Sequence, residues 1–225
     1  MNSLIRKTIV GFIQLHVILG IVVFLSAGSI QFWQGWVYLG VFFVCNLLLT
    51  AYFVKYDPKL VESRLNVGPI AEKEKSQKII QTFNSFFFIG LFVIPGLDFR
   101  FHWSQVPLSA IVLADAAIVL SYVIFFFTFR ENSYTSAIVK VSDEQTVIST
   151  GPYGIVRHPL YAGALLLFLF TPIALGSWWA ALLFFPLTML IVLRLLEEEK
   201  FLSEHLLGYQ DYCQKTRYRL IPMVW

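Results

Sequence analysis

The stretch GPYGIVRHPLYAG, residues 151–163, joins a polar segment to a long apolar one and decides how the fold is read. Pro159 favours the first turn of a helix, because its missing N–H would have no partner there and its φ is already helical. The residue before a proline is pushed out of the α region, so His158 is predicted in an extended or capping conformation. Arg157 and His158 are then expected at the mouth of the helix, with Tyr161 near the same face.

Gly163 lies one turn further into this helix and leaves room for another backbone or a ligand to approach closely. Taken alone, these residues fit a functional site and an ordinary interfacial helix start about equally well. In the second case Arg157 snorkels to the headgroups and Tyr161 belongs to the aromatic belt. The rest of the chain has to decide between the two interpretations.

The composition is that of an integral membrane protein. Of the 225 residues, 57% are hydrophobic and 14% charged, and the mean hydropathy is +0.70. Soluble domains have about 45–50% apolar and about 25% charged residues. We predict one membrane domain, residues 1–225, with four spans in 1–129 and a catalytic loop, hairpin and C-terminal segment in 130–225. Two cysteines, Cys45 and Cys213, indicate neither a disulfide framework nor a metal site.

Six apolar segments predict an all-α fold, a polytopic bundle of about six membrane-embedded helices. They are 8–27, 33–54, 79–97, 106–129, 160–176 and 178–196. Only Gly176-Ser177 separates the last two, which predicts a tight C-terminal helical hairpin. Pro172 and Pro186 lie inside its two arms and are expected to kink them. The amides within the spans, Asn46 and Asn84 among them, are predicted to form hydrogen bonds between helices.

The distribution of Lys and Arg predicts the orientation. With six crossings and a cytoplasmic N-terminus, all seventeen Lys and Arg residues except Arg100 fall on the cytoplasmic side. Both termini are therefore predicted to be cytoplasmic, in the inner or plasma membrane of a bacterium or the endoplasmic reticulum of a eukaryote. Almost all of the polar sequence then faces one compartment, which argues against a transporter.

A second group of polar residues follows the last span. Arg194, Glu198 and His205 are spaced to form one stripe on a helix that continues to about residue 207. Tyr209, Tyr212 and a basic tail come next, and on their own they indicate a juxtamembrane helix in contact with anionic lipids. Because the two arms of the hairpin are neighbours, this stripe and the Arg157-His158 pair are expected at the same membrane boundary.

Together these features resemble the isoprenylcysteine carboxyl methyltransferase family of integral membrane enzymes, including its bacterial relatives. The resemblance covers residues 130–225, and the first hundred residues match only as hydrophobic spans. The matching features are Gly151-Pro152-Tyr153, Arg157-His158-Pro159-x-Tyr161-x-Gly163, the hairpin, Glu198-Glu199, Gly208-Tyr209-x-x-Tyr212 and Arg219-x-x-Pro222.

The resemblance implies S-adenosylmethionine as the methyl donor, bound without a Rossmann fold between the last helices and the C-terminal segment. It assigns cofactor contacts to seven residues and the acceptor carboxylate to two arginines. The cofactor residues are His158, Tyr161, Gly163, Glu198, Glu199, Tyr209 and Tyr212, and the arginines are Arg157 and Arg194. Which residue of the run Glu197–Glu199 contacts the cofactor stays open.

The implied acceptor is a hydrophobic or lipidated carboxylate, such as a prenylated cysteine, that enters from the bilayer. Membrane lipids are the other expected partners, and nothing in the sequence indicates nucleic acid or a metal ion. Three alternatives remain: a phospholipid-type N-methyltransferase, an NADPH-dependent membrane reductase of the sterol-reductase type, and a small non-enzymatic transporter or scaffold.

Overall fold

The computed structural model describes residues 2–65, 75–135 and 146–225. Within these ranges the chain forms nine α-helices and no strand. They are α1 Asn2–Ala27, α2 Trp33–Tyr56, α3 Pro58–Leu65, α4 Lys75–Phe101, α5 Leu108–Glu131, α6 Pro159–Ala174, α7 Trp178–Ala181, α8 Phe184–His205 and α9 Tyr209–Lys215. A 3-10 turn, Gly151–Gly154, precedes α6.

Five stretches of these helices are long and apolar enough to cross a membrane: Ser3–Ala27, Trp33–Tyr56, Lys75–Phe101, Leu108–Glu131 and Trp178–His205. The sixth apolar helix, α6, has 16 residues, which corresponds to about 24 Å of helix at about 1.5 Å per residue. The prediction of an all-α polytopic membrane bundle is confirmed. The shortness of α6 means that it covers less of the hydrocarbon than its neighbours.

Contacts between helix ends show that neighbouring spans run in opposite directions. At one end, Gln77 in the first turn of α4 hydrogen-bonds both Arg194 and Glu197 near the end of α8. We call this the basic end. At the other end, Asp98 of α4 accepts hydrogen bonds from Ser177 Oγ at 2.5 Å and from the backbone N–H and hydroxyl of Ser104, each at 2.7 Å. We call this the hairpin end.

The hairpin has a break that the sequence did not predict. After Gly176 and Ser177, α7 spans a single turn, and Leu182 and Leu183 interrupt the helix before α8 begins at Phe184. Pro186 therefore lies in the first turn of α8, where an N–H has no intrahelical partner to lose. The prediction that Pro186 kinks the second arm is wrong for this reason, whereas Pro172 does lie inside α6.

Close helix packing and buried hydrogen bonds hold the N-terminal helices to the bundle. A Cβ on Gly96 would come within 1.9 Å of Ser26 Oγ, so α1 and α4 cross at a distance that only glycine allows. Asn46 Nδ2 donates to the hydroxyl of Tyr122 at 2.7 Å and links α2 to α5, which confirms the predicted role of this amide. The amide of Asn84 behaves differently, as described below.

Candidate active site

The start of α6 is fixed by the C-terminal segment. His158 is the N-cap residue with φ −125° and ψ 64°, and the helix begins at Pro159, as the sequence predicted. The backbone N–H groups of Arg157 and His158 donate to the carbonyls of Tyr218 and Arg219, each at 2.9 Å. Both side chains are therefore buried beneath the segment after α9.

One carboxylate joins these elements. One oxygen of Glu199 forms an ion pair with Arg157, at 2.7 Å from its Nε, and the other accepts a hydrogen bond from the Nε of Arg219 at 2.8 Å. His158 Nε2 lies 3.2 Å from the same oxygen that meets Arg157. The Nη1 atom of Arg157 also points at the carbonyls of Cys213 and Thr216. Glu199 thus binds α8 to the start of α6 and to the C-terminal segment.

The three consecutive glutamates point in three directions, because successive residues on a helix are rotated by about 100°. Glu197 faces α4, where it accepts hydrogen bonds from Ser76 and Gln77. Glu198 accepts the hydroxyl of Tyr161 at 2.6 Å. Glu199 faces the arginines. Of the three, the structure places only Glu198 on the wall of the cavity described next.

A cavity opens at the basic end between the start of α6, the end of α8 and α9, and we call it the first cavity. It brings together seven of the nine predicted site residues: Arg157, His158, Tyr161, Arg194, Glu198, Tyr209 and Tyr212. The segment between α5 and α6 and the end of α8 also contribute, including Asn132, Thr146, Tyr153, Leu202 and Leu206. Glu199 and Gly163 do not line it.

A chain of hydrogen bonds forms one wall of the first cavity. Arg194 Nε donates to the hydroxyl of Tyr161 at 3.1 Å, and that hydroxyl donates to Glu198 at 2.6 Å. Arg194 Nη1 donates to Gln77 Oε1 at 2.9 Å, which ties the chain to α4. The ring of Tyr161 also stacks on His158, with 5.7 Å between ring centroids. The predicted stripe ends at Glu198, since His205 is exposed and bonds its own helix.

Two tyrosines of α9 form the opposite wall. Tyr209 and Tyr212 are buried in a small hydrophobic cluster with Tyr153 and Leu206. Tyr212 donates to the carbonyl of Tyr153 at 2.8 Å, whereas the buried hydroxyl of Tyr209 has no hydrogen-bond partner among the described residues. Burial raises the pKa of both tyrosines, so both hydroxyls are neutral donors at physiological pH.

Gly163 has a packing role. It is buried where α6 crosses α5, and a Cβ at this position would lie 2.7 Å from Cε1 of Phe125 and 3.2 Å from Cγ2 of Ile124. The expectation that Gly163 lines a cofactor pocket is not supported by this position. A glycine here was expected to admit either another backbone or a ligand, and the structure shows the close approach of a second helix.

Replacing Gly163 by alanine is therefore expected to lower stability without altering ligand affinity. Overpacking a tight contact costs about 1–3 kcal/mol, which thermal unfolding of the purified protein in a neutral detergent would detect. Gly40→Ala is the matched control, since nothing lies within 4 Å of a Cβ there. Loss of S-adenosylhomocysteine affinity in Gly163→Ala, at unchanged stability, would return Gly163 to the ligand site.

Three contributions to the site were not predicted from the sequence. Arg219 was part of a recognised motif, yet nothing indicated that it pairs with Glu199. Gln77 lies in the first turn of a span and reads as an ordinary boundary residue. Tyr153 accepts the Tyr212 hydrogen bond through its carbonyl, which no side-chain pattern reveals.

The model of the phospholipid methyltransferase family (PEMT) matches residues 109–207 of the chain. The match confirms the resemblance to integral membrane methyltransferases. It covers α5, α6, α7 and α8, with Arg157, His158, Tyr161, Arg194 and Glu198 inside it. It ends before α9 and leaves out α1, α2, α3 and α4. A search of curated proteins finds no match.

Proposed function

Because residues 109–207 match the phospholipid methyltransferase family of membrane methyltransferases, we propose that this chain transfers a methyl group from S-adenosylmethionine to a carboxylate of a hydrophobic acceptor. The proposed reaction takes place at the cytoplasmic face of the membrane, where the distribution of Lys and Arg predicts the basic end to lie. The observation that carries the proposal is the first cavity. There an arginine, a carboxylate and several phenols meet at the end of a membrane hairpin.

The polar groups of the first cavity fit the proposed cofactor. Glu198 offers an anionic acceptor for the cofactor's ammonium or ribose hydroxyl groups. The buried, unpartnered hydroxyl of Tyr209 offers a donor for its carboxylate. Aromatic rings such as those of Tyr161 and Tyr212 favour a positively charged sulfonium beside them. Glu199, which does not line the cavity, contacts the side chains of His158 and Arg157, which do.

When bound, S-adenosylmethionine supplies an electrophilic methyl group, and its sulfur–carbon bond breaks as an oxygen–carbon bond to the acceptor carboxylate forms. A carboxylate is already ionised at neutral pH, so no base has to remove a proton. The chain's task is to align the acceptor and exclude water. Arg194 suits the alignment, because its guanidinium lies on the cavity wall and is oriented by Tyr161 and Gln77.

Arg157 was also predicted to hold the acceptor carboxylate. Its contacts with Glu199 and with two backbone carbonyls favour a positioning role, in which it fixes the C-terminal segment over the first cavity. We keep Arg194 as the arginine for the acceptor.

A phospholipid-type amine acceptor is the second candidate, and the Tyr161–Glu198 pair favours it. An amine must lose a proton during methylation, and a carboxylate 2.6 Å from a phenol can receive that proton directly or through the hydroxyl. The family description names phospholipids as well. The chemical stability of the product separates the two candidates.

We expect S-adenosylmethionine, and not NADPH, to raise the melting temperature of the purified protein in a neutral detergent. The full chain is then incubated with methyl-labelled S-adenosylmethionine and either N-acetyl-S-farnesylcysteine or phosphatidylethanolamine. Label on the farnesylcysteine that mild alkali releases as methanol is the expected result, because methyl esters hydrolyse and N-methyl groups do not.

Alkali-stable label on phosphatidylethanolamine would favour the second candidate. Stabilisation by NADPH alone would contradict both and support a reductase. Indifference to both nucleotides would favour a non-enzymatic protein.

A further inference from the structure

A second cavity lies beside the first, between α3, α4, α5, α6 and α8. Its walls are largely apolar, with Phe125, Phe168 and Ile191 among them. It shares Leu160, Tyr161 and Arg194 with the first cavity, so the hydrogen-bonded pair Tyr161–Arg194 stands between the two. A ligand in the second cavity would thus adjoin a ligand in the first.

Three buried polar atoms of the second cavity have no hydrogen-bond partner among the described residues. They are Arg64 Nη1, Gln81 Oε1 and Asn84 Oδ1. A buried polar group without a partner costs about 1–3 kcal/mol, so three around one cavity are an unusual concentration. The predicted interhelical hydrogen bond of the Asn84 oxygen is absent from this part of the structure. A ligand that offers an acceptor to Arg64 and donors to the two amide oxygens would satisfy all three.

Arg64 is the charged member of this set. It lies in the last turn of α3, a helix held in place by the Asp57 side chain, which accepts the Leu60 N–H, and by the buried Leu60 itself. Its guanidinium stacks on Phe129 with 4.5 Å to the ring centroid. It forms no ion pair with a described residue.

The charge of Arg64 persists in this position. Burial lowers its pKa to about 10, which still leaves the guanidinium ionised at physiological pH. An ionised arginine with a buried Nη1 atom and no carboxylate partner among the described residues favours an anion as its ligand, and its planar fork matches two oxygens of a carboxylate or phosphate.

We propose that the second cavity binds the methyl acceptor as an anionic amphiphile, with Arg64 binding its carboxylate or phosphate together with Arg194, which lines the same cavity, and the apolar walls holding its hydrocarbon chain. This rests on the proposed function, to which it adds the acceptor's binding site and a binding residue outside the matched segment. The amides of Gln81 and Asn84 complete the polar part of the site, since each can present oxygen or nitrogen to the ligand.

The test measures binding directly, without turnover, on the full chain in dodecyl maltoside. Calorimetry compares N-acetyl-S-farnesylcysteine with its methyl ester, which keeps the same chain and lacks the charge, and with lysophosphatidic acid as the phosphate probe. We expect the wild-type protein to bind at least one anion about tenfold or more tightly than the neutral ester. Which anion it prefers distinguishes a carboxylate acceptor from a phosphate-anchored one.

Arg64→Gln is expected to weaken binding of the preferred anion about tenfold or more, to the level of the neutral ester, with unchanged affinity for S-adenosylhomocysteine. Lys59→Gln is the control, because it removes an exposed positive charge from the same helix. Arg64→Lys keeps the charge and loses the planar fork, so its affinity for the anion should lie between those of wild type and Arg64→Gln. This variant also tests the proposal if Arg64→Gln does not fold.

Equal affinity of wild type for acid and ester, or wild-type anion binding by the Arg64 variants, would overturn the assignment. Absence of S-adenosylhomocysteine binding in the wild type would instead contradict the proposed function. Because anion binding is measured without the cofactor, the two failures are distinguishable.

Discussion

Glu199→Gln is expected to produce the largest loss of stability of any single charge change at the site. The substitution keeps the size of the side chain and removes the negative charge shared by Arg157, Arg219 and His158. Breaking a buried ion pair by neutralising one partner costs about 3–5 kcal/mol, since here the charge of Arg157 stays buried without compensation. Thermal unfolding in a neutral detergent measures the loss.

The matched control is Glu204→Gln, an exposed glutamate on the same helix, which should unfold like the wild type. Double substitution of Glu199 and Arg157 gives a further check. If the loss comes from an uncompensated guanidinium, then Glu199→Gln combined with Arg157→Leu should be less destabilised than the sum of the two single changes. Strict additivity would mean that the two side chains act independently.

Glu198→Gln is expected to have the largest effect on cofactor binding. Its carboxylate lines the first cavity, and a charge-assisted hydrogen bond contributes about 1.5–3 kcal/mol. The dissociation constant for S-adenosylhomocysteine should therefore rise about 10- to 100-fold, as measured by calorimetry. The melting temperature without ligand should change little, because a glutamine can still accept the hydroxyl of Tyr161.

Glu197→Gln makes a stringent control, since it is the same substitution one residue earlier. Glu197 contacts Ser76 and Gln77 on α4 and does not line the first cavity. Its substitution should leave the affinity for S-adenosylhomocysteine within about twofold of wild type. Equal losses for Glu197→Gln and Glu198→Gln would mean that net charge at this end, and not a specific contact, determines binding.

Local rules in the sequence predicted the parts of the fold that depend on neighbouring residues. Proline chemistry placed the start of α6, and hydropathy placed the spans, because both are properties of a few consecutive residues. The convergence of His158, Tyr161 and Glu198 followed from the hairpin, since its two arms have to lie side by side.

Contacts set by packing were beyond the sequence. Helical geometry says that three successive glutamates diverge, but the rotation of α8 against its neighbours decides which one faces the cavity. Gly163 illustrates the same limit. A glycine in a helix indicates that something approaches closely, but the sequence does not say whether Phe125 or a ligand does so. The break at Leu182 and Leu183 lies just before Pro186, which cannot donate to the carbonyl of Leu182. The sequence therefore indicated a distortion of this arm, but not that the helix ends and starts again.

Asp98 was overlooked for a related reason. It stands next to Phe99 and Arg100, and the sequence assigned it to a short outer loop. In the structure α4 continues to Phe101, and Asp98 is buried among the Ser104 and Ser177 hydroxyls. The hydroxyl partners are distant in sequence, so only the folded chain identifies this residue as the link between α4 and the hairpin.

The position of Gln77 determines whether the matched segment can be separated from the rest of the chain. This residue of α4 bonds both Arg194 and Glu197, so two side chains of the matched segment depend on a helix outside it. Residues 109–207 are accordingly not a transplantable module. A chimera that grafts them onto unrelated membrane helices would need a matching amide at the depth of Gln77, and without one Arg194 would lose a partner that orients it. The helix α4 therefore helps to shape the wall of the first cavity, beyond any role as an anchor.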